Sequence, residues 1–169
     1  MYEQAIRAAD RLVKAFHSRD PVRIARELDI EILYRQDFLR QKGAFCMVEG
    51  YPFIFLKASL EEDEARMVCA HELGHAMLHR KLAQKGALCE YELFTLTNDV
   101  EYEANLFAAR LLIDKNEMLE YLKSGMDAAA AARALNVNEN LLLLRLEDMN
   151  RRGSRYRLPF VPDRGFMGE

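Results

Sequence analysis

Three scarcities narrow the field. No apolar run in the 169 residues approaches the roughly 20 needed to cross a bilayer. The stretch Met1 to Phe16 carries Glu3, Arg7, Asp10, Arg11 and Lys14, so it cannot be the uncharged core of a signal peptide, and the expected compartment is the cytoplasm. Positive charge is not in excess either. The formal net charge is −3, which gives no general attraction to nucleic acid or to an anionic membrane. Cysteine is sparse. Cys46, Cys69 and Cys89 are odd in number and lack C-x-x-C spacing, which fits reduced thiols better than a disulfide framework. There is no internal repeat and no long linker. What remains is a chain half hydrophobic in composition, long enough to bury a core of its own.

The first third sets out packing elements. Ile6, Ala9, Val13 and Phe16 recur at helical spacing and predict a helix over 2–17. Asp20 as N-cap with Pro21 at the first helical position starts a second helix, through Ala25 and Leu28. From Ile30 the period changes to two, and Ile30, Ile32 and Tyr34 alternate with Glu31, Leu33 and Arg35 in a short strand. Residues 43–48 and 51–56 flank Glu49-Gly50 as a hairpin. Pro52 cannot donate to a ladder, so the second of these strands is expected at a sheet edge. Such an edge could pair with an extended peptide, or be blunted by the proline. Helices around a small, mostly antiparallel sheet make the fold class α+β.

The chemistry sits in His71-Glu72-Leu73-Gly74-His75, within a run over 61–79 that reads as one helix. Ser59 and Glu62 have the spacing of a capping box at its start. His71 and His75 lie about 40° apart around such a helix and about 6 Å apart along it, so both imidazoles can grip one metal ion. Glu72 shares the sector and can act on a water as general base, the H-E-x-x-H arrangement of zinc peptidases. Ala70, Leu73 and Met77 form an apolar back face. Gly74 implies that another backbone comes close. His79 shares the ligand face but lies a turn too far along to be a ligand, which leaves it a supporting or packing role. Cys69 points away and reads as a small core side chain.

A catalytic zinc needs a third protein ligand. The helix over 99–112 offers Glu101 and Glu103. On a wheel of about 100° per residue, Glu101 shares a face with Asn105, Ala108 and Leu112, with Ala104 and Leu111 beside it, whereas Glu103 lies beside Arg110. A carboxylate on a packed face needs a partner, and a metal would supply one; a salt bridge or a contact with the helix dipole is the alternative. Asn105 could orient a ligand from behind. Zinc suits two imidazoles and a carboxylate, although manganese or iron would accept the same set. An oxyanion donor is also expected, with Tyr91, Tyr102 and His79 as candidates that packing could equally explain.

The run His71-Glu72-Leu73-Gly74-His75-Ala76-Met77-Leu78-His79, followed by Glu101-x-Glu103-Ala104-Asn105-x-Phe107-Ala108-Ala109-x-Leu111-Leu112, resembles the ImmA/IrrE metallo-endopeptidases. The resemblance is densest over 53–113. It implies a zincin-like fold, with His71, His75 and Glu101 as ligands of one Zn2+ and Glu72 as the catalytic base. It also implies a regulator that cleaves a helix-turn-helix transcriptional repressor, relieving repression of a mobile element or of stress genes. The chain is expected to lack the extra sensory domain of larger members.

The expected organisation is a metallopeptidase core over 1–115, a helical segment over 116–150 packed on it, and an arginine-rich tail over 151–169. Residues 116–123 read as a helix closed by Ser124-Gly125, and residues 127–135 and 139–149 as a pair around a tight turn capped by Asn138. The pair has the rhythm of a helix-turn-helix, yet its only cations from Asp127 to Leu146 are Arg133 and Arg145, so packing is favoured over DNA binding. The tail, with Arg151, Arg152, Arg155, Arg157 and Arg164 among apolar residues, could be a mobile arm or could fold back. Three functions compete: an endopeptidase, a stoichiometric anti-repressor that keeps the metal site, and a DNA-binding regulator. The intact Glu72 argues against the second, and the sparse charge of the C-terminal pair against the third.

Overall fold

The computed structural model describes residues 2–84 and 98–163. Helix α1 (Glu3–Phe16) lays Ala5, Ile6, Ala8, Ala9 and Leu12 into the core. Helix α2 (Pro21–Glu27) is capped by Asp20, whose side chain accepts from the Val22 N–H. Three strands follow, β1 (Glu31–Arg35), β2 (Gly43–Val48) and β3 (Tyr51–Lys57). Glu49 and Gly50 both adopt positive φ, 50° and 87°, as a two-residue hairpin turn requires, so β2 and β3 pair antiparallel.

The sheet order is β1-β3-β2, and β1 runs parallel to β3. The sheet is therefore mixed, and the strand bearing Pro52 is central rather than an edge. Proline is tolerated there because the register with β1 begins one residue later, at Phe53 opposite Glu31. Among the described residues the edges are β1 and β2.

Helix α3 (Glu62–Leu78) carries the motif and starts later than a Ser59 cap would place it. The chain is still turning at Ala58 and Ser59, with the Leu60 N–H on the Lys57 carbonyl at 3.3 Å, so Glu61 becomes the N-cap and makes no side-chain cap. Glu62, Asp63 and Glu64 instead set negative charge against the helix N-terminus. From Val68 to Ala76 every residue of α3 is buried, because the sheet lies on one side and helix α5 (Asn98–Leu112) on the other. The expected apolar back face holds at Ala70 and Leu73 but not at Met77, which is exposed near the end of the helix.

Gly74 is where α3 and α5 approach most tightly. A Cβ there would lie 3.1 Å from Ala104 Cα, 3.2 Å from its carbonyl oxygen and 3.2 Å from Phe107 Cδ1. Two of those atoms belong to a helix backbone fixed in the core and cannot swing aside. Alanine gains up to about 1 kcal/mol of helix propensity, whereas overpacking costs about 1–3 kcal/mol. Gly74→Ala should therefore lower the urea midpoint, by a net loss of about 1 kcal/mol. An unchanged or raised midpoint would mean that α5 yields.

The remaining helices are α4 (Arg80–Gln84), α6 (Lys115–Lys123), α7 (Ala128–Ala134) and α8 (Glu139–Arg151). Arg19 ties α5 to α6: it donates to the carbonyls of Arg110 and Leu111 and pairs with Asp114, whose carboxylate caps α6. Helix α8 packs on α5 and buries every residue from Leu141 to Leu146, Arg145 included. Over residues 151–163 the tail folds back. Arg151 pairs with Glu147, and Arg152 with Asp148 and Glu3. Asn150 brackets the backbone of Tyr156, and Asn140 brackets that of Asp163. Arg164 lies outside the described residues.

Among the described residues no helix is long and apolar enough to cross a membrane. Cys69 is free and buried, and burial pushes its thiol up to about 12, which disfavours the thiolate. Cys46 is disulfide-bonded, against the expectation of reduced thiols. Cys89 lies outside the described residues.

Candidate metal centre

The close packing of Gly74 against Ala104 draws α3 and α5 near enough for side chains from both to meet. His71 and His75 turn toward each other, with their Nε2 atoms 3.0 Å apart. The Glu101 carboxylate enters from α5, with Oε2 at 3.3 Å from His71 Nε2 and Oε1 at 3.5 Å from His75 Nε2. The edge of a tetrahedron with metal–ligand bonds of about 2.0–2.1 Å is about 3.3 Å, so the two imidazole nitrogens and the two carboxylate oxygens lie at separations close to those of ligand atoms around one zinc ion. All three residues are buried.

Glu101 supplies an independent test of fit. Apart from the two imidazoles, neither of its buried oxygens has a partner among the described residues. An anionic carboxylate left so is costly unless a cation meets it. Glu103 does not join this group; its carboxylate goes to His79 Nε2, at 3.0 Å.

Each imidazole is held from behind. His71 Nδ1 lies 2.8 Å from Asn105 Oδ1, an amide oxygen that can only accept, so the proton is on Nδ1 and the Nε2 lone pair faces Glu101. His75 Nδ1 lies 3.0 Å from Nδ1 of His79. Burial opposes a charge on His71, but contacts with Glu101, Glu72 and Asn105 outweigh it and raise its pKa. Burial, with His71 and His79 beside it, pushes His75 well below the usual imidazole value and keeps it neutral.

Glu72 lies next to the group, pressed against the edge strand. A Cβ at Gly43 would lie 2.9 Å from Glu72 Oε1 and 2.5 Å from Val68 Cγ1, so only glycine leaves room for this carboxylate. The Phe45 backbone N–H donates to it. Burial pushes the carboxyl up to about 7, with Glu101 adding to the shift and His71 and the Phe45 N–H opposing it. Of the candidate oxyanion donors, Tyr102 is committed elsewhere: its hydroxyl donates to Glu147 and its ring packs edge-on against Tyr2. His79 is engaged by His75 and Glu103, and Tyr91 lies outside the described residues.

Two supports of the site had no local signal in the sequence. The Gly43 cradle and the Phe45 N–H depend on which strand is the edge. The Glu103–His79 contact depends on how α3 and α5 cross, although the four-residue step from His75 to His79 was a hint.

A small sheet, a buried helix bearing H-E-x-x-H and a glutamate from a following helix define a zincin-like metallopeptidase fold. The family model of the IrrE N-terminal-like domain, peptidase family M78, matches residues 25–147, and the chain belongs to that family. It is also similar to uncharacterized immunity region protein 2 of Bacillus phage phi105, being 31% identical over 106 residues. That match covers 63% of this chain and 66% of the phage protein, so the chain spans about two thirds of the length of the curated relative it matches.

Proposed function

We propose that this protein is a zinc-dependent endopeptidase that cleaves a helix-turn-helix transcriptional repressor in the cytoplasm, with His71, His75 and Glu101 as metal ligands and Glu72 as general base. The observation that carries the reading is the convergence of three side chains from two helices, with the two imidazole nitrogens 3.0 Å apart and each within 3.5 Å of an oxygen of a carboxylate that has no other partner among the described residues. Family membership supports a peptidase. The immunity-region origin of the phage relative supports a role in controlling an integrated element.

When bound, the ion supplies Lewis acidity, polarising the scissile carbonyl and acidifying water. The chain's own residues do the rest. Glu72, held by the Phe45 N–H at the lip of the edge strand, takes a proton from the attacking water and later returns it to the leaving amine. Asn105 keeps the His71 Nε2 lone pair toward the ion. An extended substrate would pair along β2, the edge that borders Glu72, rather than along β3.

The test is incubation of the purified, zinc-loaded protein with helix-turn-helix repressors encoded beside its gene, read by mass spectrometry of the products. One internal cut is expected, stopped by a chelator and restored by zinc. A repressor left intact but still displaced from its operator would replace the enzyme with a stoichiometric anti-repressor.

A further inference from the structure

Glu103 and His79 are not in the ligand group, yet both point into it through His75. Glu103 Oε2 lies 3.0 Å from His79 Nε2, and His79 Nδ1 lies 3.0 Å from His75 Nδ1. The two imidazoles are buried, while the Glu103 side chain retains 28% exposure. An ionised carboxylate only accepts, so His79 Nε2 must carry a proton. A neutral His79 then offers the lone pair of Nδ1, and the proton between the two rings belongs to His75 Nδ1. That leaves His75 Nε2 bare, facing His71 Nε2 and Glu101. The opposite assignment would put a proton on His75 Nε2, where a ligand lone pair is required.

We propose that Glu103 and His79 are positioning residues that fix the tautomer and orientation of His75, so that a carboxylate two side chains away controls the affinity of the metal centre. The inference rests on the metal-centre reading above. It also gives the two glutamates of α5 separate tasks: Glu101 meets the ion, and Glu103 sets the proton on the ligand opposite. His71 receives the same service from the neutral Asn105 amide. The two ligands are therefore held unequally, one by a neutral acceptor and one by a relay ending in a charge. A carboxylate at the end of such a relay also makes the ligand more basic, which an amide does less well.

The test uses the full chain and reads zinc affinity by competition with a chromophoric chelator, together with 15N NMR of the His75 ring in the metal-free protein. His79→Phe keeps the ring volume and removes both nitrogens; zinc affinity should fall about 10- to 100-fold, and the His75 signal should change from one tautomer to a mixture. Glu103→Gln should lose less, in the same direction. His79→Gln, which can accept from His75 and donate to Glu103, should recover part of the loss. If His79→Phe does not fold, Glu103→Gln and His79→Gln carry the same comparison. A lower melting temperature with unchanged zinc affinity and an unchanged His75 tautomer would overturn the relay, leaving the metal centre in place. Wild type that binds no zinc would overturn the metal centre itself.

Discussion

Glu72→Gln is expected to slow peptide hydrolysis by at least about 10²–10⁴-fold, the usual contribution of a positioned base, while zinc content stays at one per chain. Glutamine keeps the shape that fits beneath Gly43, and its amide oxygen can still accept from the Phe45 N–H. It cannot take a proton from water at neutral pH. The substitution also carries a signature in stability. The Glu72 carboxyl is held up at about 7 against an ordinary 4.5, so the folded metal-free protein binds this proton more tightly than the unfolded chain. Stability of the metal-free wild type should therefore fall as pH rises from about 4.5 to about 7 at this group, and the variant should lack that component. Initial rates, elemental analysis and urea midpoints across that range check the three parts. Full activity in the variant would remove Glu72 from the mechanism.

What could be read from the residues follows the range of the physics that fixes them. The H-E-x-x-H spacing is set within one turn of one helix, so the meeting of His71 and His75 needs only helical periodicity. Glu101 needed one step more, the idea that an alanine-lined face packs closely, and Gly74 against Ala104 is that close packing. Strand order lies beyond local pattern. Pro52 marks a position without a donor but not how far a neighbouring strand extends, and β1 stops one residue short of it. Ser59 and Glu62 had the spacing of a cap, yet the chain is still turning there, and a cap cannot form before the backbone turns helical. Arg145 is one of the only two cations from Asp127 to Leu146 in the C-terminal helical pair, whose sparse charge favours packing over DNA binding. It is buried under α8 with Asp148 at 3.4 Å, because a helix of four consecutive leucines is covered on all sides and its polar position goes in with them.

Glu101→Ala should strip the protein of zinc under dialysis that leaves wild type at about one ion per chain, whereas Glu103→Ala should retain the ion at saturating zinc with weaker affinity. The two variants remove equal charge from one helix, so a general electrostatic effect would treat them alike. Stability separates the readings further, through the isosteric Glu101→Gln at a pH above the raised titration of His71. Without metal, wild type holds a buried carboxylate with no hydrogen-bond partner among the described residues, and leaving such a group unmet costs about 1–3 kcal/mol or more. The variant should then be as stable as wild type or more so. With zinc at about a thousand times its dissociation constant, wild type should gain about 4 kcal/mol and the variant much less. The order of the two melting temperatures therefore inverts on adding zinc. A variant destabilised equally with and without metal would mean that Glu101 pairs with the imidazoles alone, because only a cation ligated by the carboxylate makes its loss matter in one state and not the other.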